Sequence, residues 1–451
     1  MARLKRSTLA WYSLTDLPLA LTIFPAAVFL PKFYASDLGV PLALTANIML
    51  LVRLFDLFTD PLMGYVSDRT HTRWGRRRPW IAASVPFTLA GIYMLYLPPD
   101  GAGALHLLTW TVVLSLGTTL MMIPYYAWGA ELSPDYNERS RVTGARSMMG
   151  VAGSLMAQAA ALLAITLFAD ARTGEFLLVV GIAMLVVTPV CVFLTVTRVG
   201  ESRDYQPSAM PIAEGFKLML GNGPFKRLGA AFLVSYTGLS ITTPLYIFFI
   251  AFVLGAEGLA PVMLSFFYLS NLAAVPFWVW LSTIIGKHRA YVGSFALIAV
   301  THPFYLLLGE GDFWWMTPIS VVTGFAAGGF AALPNSMKAD VIDLDTLRSG
   351  ENRAAAFFSI WSLLQKLPAS FGPWIGLMGL ALFGFDADPN AVNTPRALFG
   401  LSFLFAVFPS LFYLASGAIV WNYPITAARH KRMREELEAA RAVNARSPLP
   451  R

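Results

Sequence analysis

The chain has 451 residues, of which 56% are hydrophobic and 13% are charged, and its formal net charge is +7. An ordinary soluble domain carries roughly 25% charged residues, so this composition excludes a soluble globular protein. The excess of basic residues falls where loops are expected, so we interpret it as a signal of membrane topology and not of nucleic-acid binding.

Continuous apolar runs along the chain are long enough to cross a bilayer. A transmembrane helix needs about 20 apolar residues, and continuous runs predict helices because barrel strands would alternate apolar and polar residues. The predicted spans, in chain order, are 11–34, 42–66, 79–98, 105–130, 146–169, 175–197, 228–254, 260–285, 289–309, 313–333, 354–384 and 396–422. The predicted fold class is therefore an all-α membrane protein with about twelve transmembrane helices.

The basic residues predict the orientation of these spans. With both termini in the cytoplasm, the cytoplasmic segments contain most of the Lys and Arg, whereas the opposite side receives Lys32, Arg172 and Arg396. This asymmetry follows the positive-inside rule. We therefore expect a multi-pass protein of a bacterial-type inner (plasma) membrane, with the N-terminal apolar run retained as the first span because it is longer than a signal-peptide core.

The longest internal loop divides the spans six and six. The predicted domains are an N-terminal six-helix bundle (1–200), a cytoplasmic inter-half loop (201–227), a C-terminal six-helix bundle (228–424) and a basic cytoplasmic tail (425–451). An internal repeat supports this division, because residues 124–146 and 334–357 both run from a proline through acidic residues to an N-E-R or E-N-R triplet. Two parallel six-helix halves around a midplane site are the architecture of major facilitator transporters.

The second predicted span contains ionisable residues on one face. Arg53, Asp56, Asp60 and Gly64 lie within roughly an 80° arc of a helix. Each charge at this depth costs about 2.5 to 3.5 kcal/mol, and two carboxylates one turn apart repel each other, so one must bind a proton or a hard cation or pair with Arg53. We assign Asp56 and Asp60 to a cation-coupling site with Arg53 in its charge network. The alternative is a purely structural Arg–Asp cluster that holds helices together.

The loop after this span and the charged segments of the repeat are assigned to gating. Their charged groups can cap helix ends and can pair across the two halves. The assigned residues are Gly64, Asp68, Arg69, Gly75, Arg76, Arg77, Glu138, Arg139, Glu351 and Arg353. For the loop, the alternative is that its basic residues only set the topology.

Further polar and aromatic residues within the predicted spans are candidates for binding a solute. Charged residues at this depth are functional candidates by default, and aromatic rings can stack on a solute or hydrogen-bond to it. The candidates are Asp16, Tyr125, Tyr126, Trp128, Arg146, Trp361, Gln365 and Lys366. Arg146 can alternatively snorkel to the cytoplasmic edge, and each aromatic residue can alternatively serve packing or an interfacial belt.

The sequence lacks the common motifs of nucleotide hydrolysis and zinc catalysis. It contains neither G-x-x-x-x-G-K-[ST] nor H-E-x-x-H. We therefore expect neither an enzyme nor an ATP-driven pump, with no catalytic residues and no cofactor other than a coupling cation.

The segment RLFDLFTDPLMGYVSDRTHTRWGRRRPW, residues 53–80, resembles the glycoside-pentoside-hexuronide cation symporters of the major facilitator superfamily, and the resemblance extends over nearly the whole chain. It implies two pseudo-symmetric six-helix halves that expose a site alternately to each side. It also implies a cation site that coordinates Na⁺ or exchanges a proton, with Na⁺ at Asp56 and Asp60. The implied cation ligands are Asp56, Thr59, Asp60 and Thr119.

By the same resemblance, Asp16, Arg146 and Lys366 match charged positions that line or adjoin the solute site. Three other positions depart from the sugar-transporting members. Met122 stands where they have an acidic residue that holds a galactosyl unit, and Tyr126 and Ala331 stand at positions of sugar-stacking tryptophans. Galactosides are therefore not the expected solutes. A related branch, the lysophospholipid symporters, keeps similar aspartates and a similar eleventh-span lysine, and a less polar pocket would suit an amphiphile.

The predicted function is a secondary active symporter that imports a sugar, glycoside or hexuronide together with Na⁺ or H⁺. The alternatives are a lysophospholipid or other amphiphile symporter of the same fold, and a membrane sensor that binds a solute without transporting it. The expected partners are a small-molecule solute and membrane lipid. We expect a monomer that binds no nucleic acid.

Overall fold

The computed structural model describes residues 4–133, 136–168, 171–201, 221–349 and 354–425, together with residues 429, 432, 433 and 436 of the tail. In these residues the regular secondary structure consists of helices, which confirms the predicted all-α fold class. The helices before residue 201 are α1 (Arg6–Ser13), α2 (Asp16–Val28), α3 (Leu30–Lys32, continued by a π-helical turn, Phe33–Asp37), α4 (Leu42–Arg69), α5 (Arg78–Tyr96), α6 (Ala104–Glu131), α7 (Tyr136–Leu167) and α8 (Thr173–Arg198).

The second part of the chain continues in the same way. Its helices are α9 (Gly223–Phe248, continued by a π-helical turn, Phe249–Val253), α10 (Ala260–Ile285, preceded by a 3₁₀ turn, Glu257–Leu259), α11 (Lys287–Thr301, continued by a 3₁₀ turn, His302–Leu307), α12 (Met316–Ser349, preceded by a 3₁₀ turn, Phe313–Trp315), α13 (Ala354–Leu382), α14 (Pro395–Ser402, continued by a π-helical turn, Phe403–Val407) and α15 (Phe408–Trp421).

These helices account for the predicted number of about twelve membrane spans. Among the described residues, ten helical segments are long and apolar enough to cross a bilayer, and the bent pair Arg6–Val28 and Leu30–Asp37 adds an eleventh. Helix α13, with 29 residues, occupies the predicted eleventh span. The chain is therefore a multi-pass membrane protein, in which helices satisfy their backbone hydrogen bonds internally.

The chain folds into two compact units. The N-terminal unit contains residues Met1–Pro207, Thr243–Ser265 and Pro373–Leu401, and the C-terminal unit contains Ser208–Thr242, Phe266–Gly372 and Ser402–Arg451. Two segments from the predicted C-terminal bundle thus pack within the N-terminal unit. The domain boundaries at residues 200 and 228 stay a prediction.

Glycines let α5 and α6 approach each other closely in the N-terminal unit. A Cβ added at Gly91 would lie 2.8 Å from the Cβ of Leu114 on α6, and one added at Gly117 would lie 2.7 Å from the backbone nitrogen of Thr88 on α5. Helices in lipid have no hydrophobic driving force for association. Small residues at their crossings allow the close van der Waals packing that holds them together instead. The two glycines therefore fix the position of α6, on which several candidate site residues lie.

Glycines also allow α10 and α12 to pack closely in the C-terminal unit. A Cβ added at Gly328 would lie 2.7 Å from the carbonyl oxygen of Asn271, and Gly324 lies as closely against Phe267. An aromatic core fills the rest of this unit, including Trp278, Phe295 and Trp361. The backbone of α10 is thus held against the middle of α12.

We predict that Gly117→Ala lowers the thermal stability of the purified protein. The added methyl group meets backbone atoms of Thr88, and overpacking of this kind costs about 1 to 3 kcal/mol. The control is Gly150→Ala on α7, where an added Cβ meets nothing within 4 Å and the helix propensity improves. Thermal unfolding followed by tryptophan fluorescence measures both variants. Equal melting temperatures for the two would contradict the close-packing role of Gly117.

Candidate functional site

A cluster of oxygen ligands lies between α4 and α6. We define the carboxylate cluster as Asp56 and Asp60, one turn apart on α4, with Ser115 and Thr119, one turn apart on α6. The Ser115 hydroxyl donates to Asp56 Oδ1, and the Thr119 hydroxyl donates to Asp60 Oδ1 over 2.9 Å. Asp60 is 6% exposed and Thr119 is 5% exposed. The matched i, i+4 spacing on two helices therefore gives each carboxylate its own hydroxyl.

Two other residues predicted for this site are Arg53, which contacts Asp56, and Thr59, which bonds within its own helix. Arg53 Nη1 lies 3.3 Å from Asp56 Oδ2, and the Arg53 side chain is 45% exposed, so it compensates the more accessible carboxylate. The Thr59 hydroxyl donates to the carbonyl oxygen of Phe55 in its own helix, over 3.3 Å. The ligand role that the resemblance implies for Thr59 stays a prediction.

The chemistry of the carboxylate cluster suits a proton or a hard cation. Two carboxylates and two hydroxyls offer only oxygen atoms, which hard cations prefer. Among the described residues, no group of three or more His, Cys, Asp or Glu side chains is arranged to hold a metal ion. Since hydroxyls can reverse from donors to acceptors, Ser115 and Thr119 can turn their lone pairs to a cation when one binds.

A second cluster joins α2, α6 and α7. Arg146 Nε donates to Asp16 Oδ2 over 2.8 Å, and the Tyr125 hydroxyl donates to the same oxygen over 2.7 Å. The Arg146 guanidinium also lies 3.9 Å from the centre of the Tyr126 ring. We call these four residues the Asp16–Arg146 cluster. The buried Asp16, at 8% exposure, favours an interior role for Arg146 over snorkelling.

Reciprocal hydrogen bonds hold Tyr125 in place. The Tyr12 hydroxyl donates to the carbonyl oxygen of Tyr125 over 2.6 Å, the Tyr125 hydroxyl also lies 3.0 Å from the carbonyl oxygen of Tyr12, and the two rings stack at 4.6 Å. Trp128 lies in the core beside them, is fully buried, and points its Nε1 at the carbonyl oxygen of Gly200 over 3.4 Å. Trp128 therefore contributes to the packing of this core, and its role as a solute ligand stays a prediction. Met122 is half-buried against the same core.

Helix α6 connects the two clusters. Thr119 and Tyr125 are six residues apart on it, which is about 9 Å along the helix axis. A displacement of α6 at one cluster would therefore also displace its residues at the other cluster. This arrangement makes α6 the candidate element for coupling a cation to a solute.

The loop between α4 and α5 is organised by two glutamates that are absent from the predicted site. Glu201 accepts hydrogen bonds from the backbone N–H groups of Arg76, Arg77 and Arg78, at 2.6 to 2.9 Å, and so caps the positive N-terminus of α5. Gly75 has φ +116°, and an added Cβ would lie 2.6 Å from Glu201. A side chain at position 75 would displace the cap.

Glu131, at the end of α6, binds the arginine side chains of this loop. Arg76 Nη2 lies 2.8 Å and Arg77 Nη2 lies 2.7 Å from its carboxylate oxygens. Arg77 is 1% exposed and also pairs with Asp68 and donates to Ser67 over 2.7 Å. These contacts all lie within the N-terminal unit, so pairing of this loop across the halves stays a prediction.

Three further residues assigned to gating, Gly64, Arg69 and Glu138, make contacts of their own. Arg69 stacks over the ring of Tyr65 at 3.6 Å, and an added Cβ at Gly64 would lie 3.8 Å from Ile123. Glu138 accepts from Arg141 over 2.6 Å and from the backbone N–H of Leu4 over 3.1 Å. The Arg139 side chain, Glu351 and Arg353 lie outside the described residues.

Two of the three predicted site residues of α13 line a cavity in the C-terminal unit. Trp361 and Gln365 line this cavity of about 330 Å³, and Ala331 of α12 lines it too. Lys366 is half-buried, one residue further along α13. The position at which the resemblance places a sugar-stacking tryptophan is therefore open to the cavity, and the neighbouring ring of Phe330 lines the same wall.

Comparisons with known proteins agree on one family. The pattern of the family described as MFS/sugar transport protein matches residues 11–427. The glucuronide carrier protein homolog of Escherichia coli (strain K12) is 26% identical, over 97% of this chain and 96% of its own length. The sodium-dependent lysophosphatidylcholine symporter 1 of Mus musculus is also 26% identical, over 95% of this chain and 88% of its own length.

A solved structure of the nucleoside transporter NupG shares the fold, with a TM-score of 0.65 and 12% identity over 93% of this chain and 100% of that chain. At this identity the likeness concerns the fold alone.

We predict that Ser115→Ala and Thr119→Ala each weaken cation binding about tenfold. A hydrogen bond to a charged group contributes about 1.5 to 3 kcal/mol, and each variant removes one oxygen ligand. Calorimetric titration with Na⁺, and with protons in its absence, measures the affinity. The control is Thr118→Ala, since the Thr118 hydroxyl donates to the carbonyl oxygen of Ser115 in its own helix. An equal loss in the control, or none in the two variants, would contradict the assignment.

Proposed function

The chain belongs to the MFS/sugar transport protein family, as the resemblance of residues 53–80 predicts, and on this premise we propose that it is a secondary active symporter. It uses the inward movement of Na⁺ or H⁺ to import a sugar, glycoside or hexuronide by alternating access. The family consists of membrane transporters, so the chain is a transporter and not an enzyme.

The carboxylate cluster is the observation that supports the proposal of symport. A transporter that only equilibrates its solute has no need of two acidic residues inside a span, at a cost of about 2.5 to 3.5 kcal/mol each. The pairing of Asp56 with Ser115 and of Asp60 with Thr119 gives these charges a defined geometry between two helices. A bound cation neutralises the cluster and removes its desolvation cost, which supports cation-coupled movement of the site.

The Asp16–Arg146 cluster is the proposed solute site of the N-terminal unit. Its carboxylate, guanidinium and phenol groups are hydrogen-bonding partners for hydroxyl groups, and the Tyr126 ring is 39% exposed and can stack on a sugar face. Because α6 contributes Tyr125 and Tyr126 here and Thr119 at the carboxylate cluster, cation binding can order the solute site.

An amphiphile is the second candidate solute. Met122 offers a polarisable apolar surface in place of a carboxylate that would accept hydrogen bonds from sugar hydroxyls. A relative of 26% identity from Mus musculus is a lysophosphatidylcholine symporter, and one of equal identity from Escherichia coli (strain K12) is a glucuronide carrier homologue. Both solute classes therefore belong in the test.

We predict that Asp56→Asn or Asp60→Asn abolishes uphill uptake by proteoliposomes. One cation entering down 100 mV supplies about 2.3 kcal/mol, a roughly fifty-fold accumulation, and neutralising either carboxylate removes the ligand that links this energy to the solute. Uptake of melibiose, a glucuronide and lysophosphatidylcholine is measured with a Na⁺ or a pH gradient.

The control is Asp100→Asn, which neutralises an exposed carboxylate in the loop between α5 and α6. Accumulation that survives in both span variants would refute the coupling assignment. Solute binding without cation-dependent uptake in the wild type would favour the sensor instead.

A further inference from the structure

Three aromatic rings that line the cavity of the C-terminal unit share one orientation. The ring planes of Phe232 and Phe330 differ by 1°, and the plane of Tyr236 differs from these two by 13° and 14°. The ring centres lie 5.4 to 6.3 Å apart. Aromatic rings favour offset-parallel stacking. A flat group that lies parallel to one of these rings is therefore parallel to all three.

The size of the cavity suits a single ring. Its volume of about 330 Å³ is at the lower end of the range for small-molecule sites. The ring of Trp361, which also lines the cavity, lies 4.4 Å from Phe232 and is tilted against it by 39°. The amide side chains of Asn271, Asn335 and Gln365 complete a lining of apolar walls with a few polar groups, which is the usual form of a ligand site.

A neighbouring lysine orients one of these amides. Lys338 Nζ donates a hydrogen bond to Asn335 Oδ1 over 3.2 Å, and both residues belong to α12. An ammonium group has donors and no acceptor, so the amide must present its oxygen to Lys338 and turn its two N–H donors the other way. Because Asn335 is exposed and lines the cavity, these N–H donors can meet an acceptor oxygen of a ligand.

Ala331 leaves the space beside this amide open. Ala331 and Asn335 are four residues apart on α12, so their side chains lie on one face of the helix. Both residues are exposed and line the cavity. A larger side chain at position 331 would occupy the volume next to the Asn335 donors.

We propose that this cavity is a subsite for a planar aryl ring of the solute. The aryl ring lies parallel to the rings of Phe232, Tyr236 and Phe330, and an oxygen atom carried by the aryl ring accepts a hydrogen bond from Asn335 Nδ2. This inference rests on the proposed transport function and narrows the solute to a glycoside with an aryl group.

An acyl chain fits these observations less well than an aryl ring. A flexible chain gains contact area from any apolar wall and gains nothing from the parallel arrangement of three rings. It also has no donor or acceptor for the amides of the cavity, and displacing water from polar groups without replacing its hydrogen bonds loses affinity.

The test is calorimetric binding to purified full-length protein, with saturating Na⁺ and without it. The ligands are methyl, cyclohexyl, phenyl and p-acetylphenyl β-glucosides and the four corresponding β-glucuronides. Cyclohexyl and phenyl groups have the same number of carbon atoms, so this pair separates ring planarity from apolar area. The p-acetyl group adds an acceptor oxygen to the phenyl ring.

We expect the wild type to bind the phenyl member of one series about fivefold more tightly than the cyclohexyl member. The p-acetylphenyl member should gain about a further threefold from the Asn335 hydrogen bond. Equal affinities for the phenyl and cyclohexyl members would overturn the subsite, and so would a wild type that binds no aryl glycoside.

Two variants locate these preferences in the cavity. Ala331→Trp fills the space beside the amide and should abolish the preference for phenyl over cyclohexyl, with Ala331→Leu as a smaller replacement if the tryptophan variant does not fold. The matched control is Val321→Trp, which adds the same ring to α12 at a residue that is 37% exposed and should leave the preference as it is. A preference that survives in both Ala331 variants would overturn the subsite.

Asn335→Asp tests the hydrogen bond separately. It keeps an oxygen atom for Lys338 and replaces the N–H donors by a second acceptor, so the advantage of p-acetylphenyl over phenyl should disappear while that of phenyl over cyclohexyl persists. An undiminished p-acetylphenyl advantage in this variant would contradict the role of Asn335.

Failure of the subsite and failure of symport are separate results. A preference for aryl glycosides without cation-dependent uptake would leave the subsite standing and refute the transport proposal. Cation-dependent uptake of glycosides, with equal affinities for the phenyl and cyclohexyl members, would do the reverse.

Discussion

An ionisable side chain inside a bilayer must be compensated, because each such charge costs about 2.5 to 3.5 kcal/mol at the centre of a span. Among the described residues, several buried charges form ion pairs. Asp16 pairs with Arg146, and Glu131 pairs with Arg76 and Arg77. Lys32, 1% exposed at the end of α3, pairs with Glu257 at 2.6 Å. Asp56 pairs with Arg53 at 3.3 Å, and on α6 the close neighbours of Asp56 and Asp60 are the neutral hydroxyls of Ser115 and Thr119. We propose that a mobile cation binds among these oxygen atoms.

The need to compensate buried charges involves α6 at both clusters. One face of α6 presents Ser115 and Thr119 to the aspartates of α4, while its next turns present Tyr125 to Asp16. The close contact at Gly117 allows little independent movement against α5. Small shifts of a packed helix switch between discrete arrangements, so we propose that a change of charge at one cluster changes the geometry of the other.

Hydropathy predicts the fold class correctly, because a long apolar run inside a bilayer satisfies its backbone hydrogen bonds by forming a helix. The resemblance of residues 53–80 predicts the family. The common face of Asp56 and Asp60 also follows from their spacing. Ser115 is missed because a lone serine in an apolar helix is unremarkable, although its i, i+4 relation to Thr119 repeats that of the two aspartates. Glu131 and Glu201 are missed because a glutamate at a helix end looks solvated, and their partners lie at least 54 residues away in sequence. Lys338 stands in an acidic stretch that suggests a loop, whereas α12 continues to Ser349 and buries it.

Thermodynamic linkage tests the coupling through α6 most directly. The affinity of the purified protein for its solute is measured with and without saturating cation, and its affinity for the cation is measured with and without saturating solute. A coupling energy of about 1 to 3 kcal/mol predicts that each ligand raises the affinity for the other by the same factor, roughly 5 to 150. A solute affinity that is unchanged by the cation, with a cation affinity unchanged by the solute, would contradict the coupling of the two clusters.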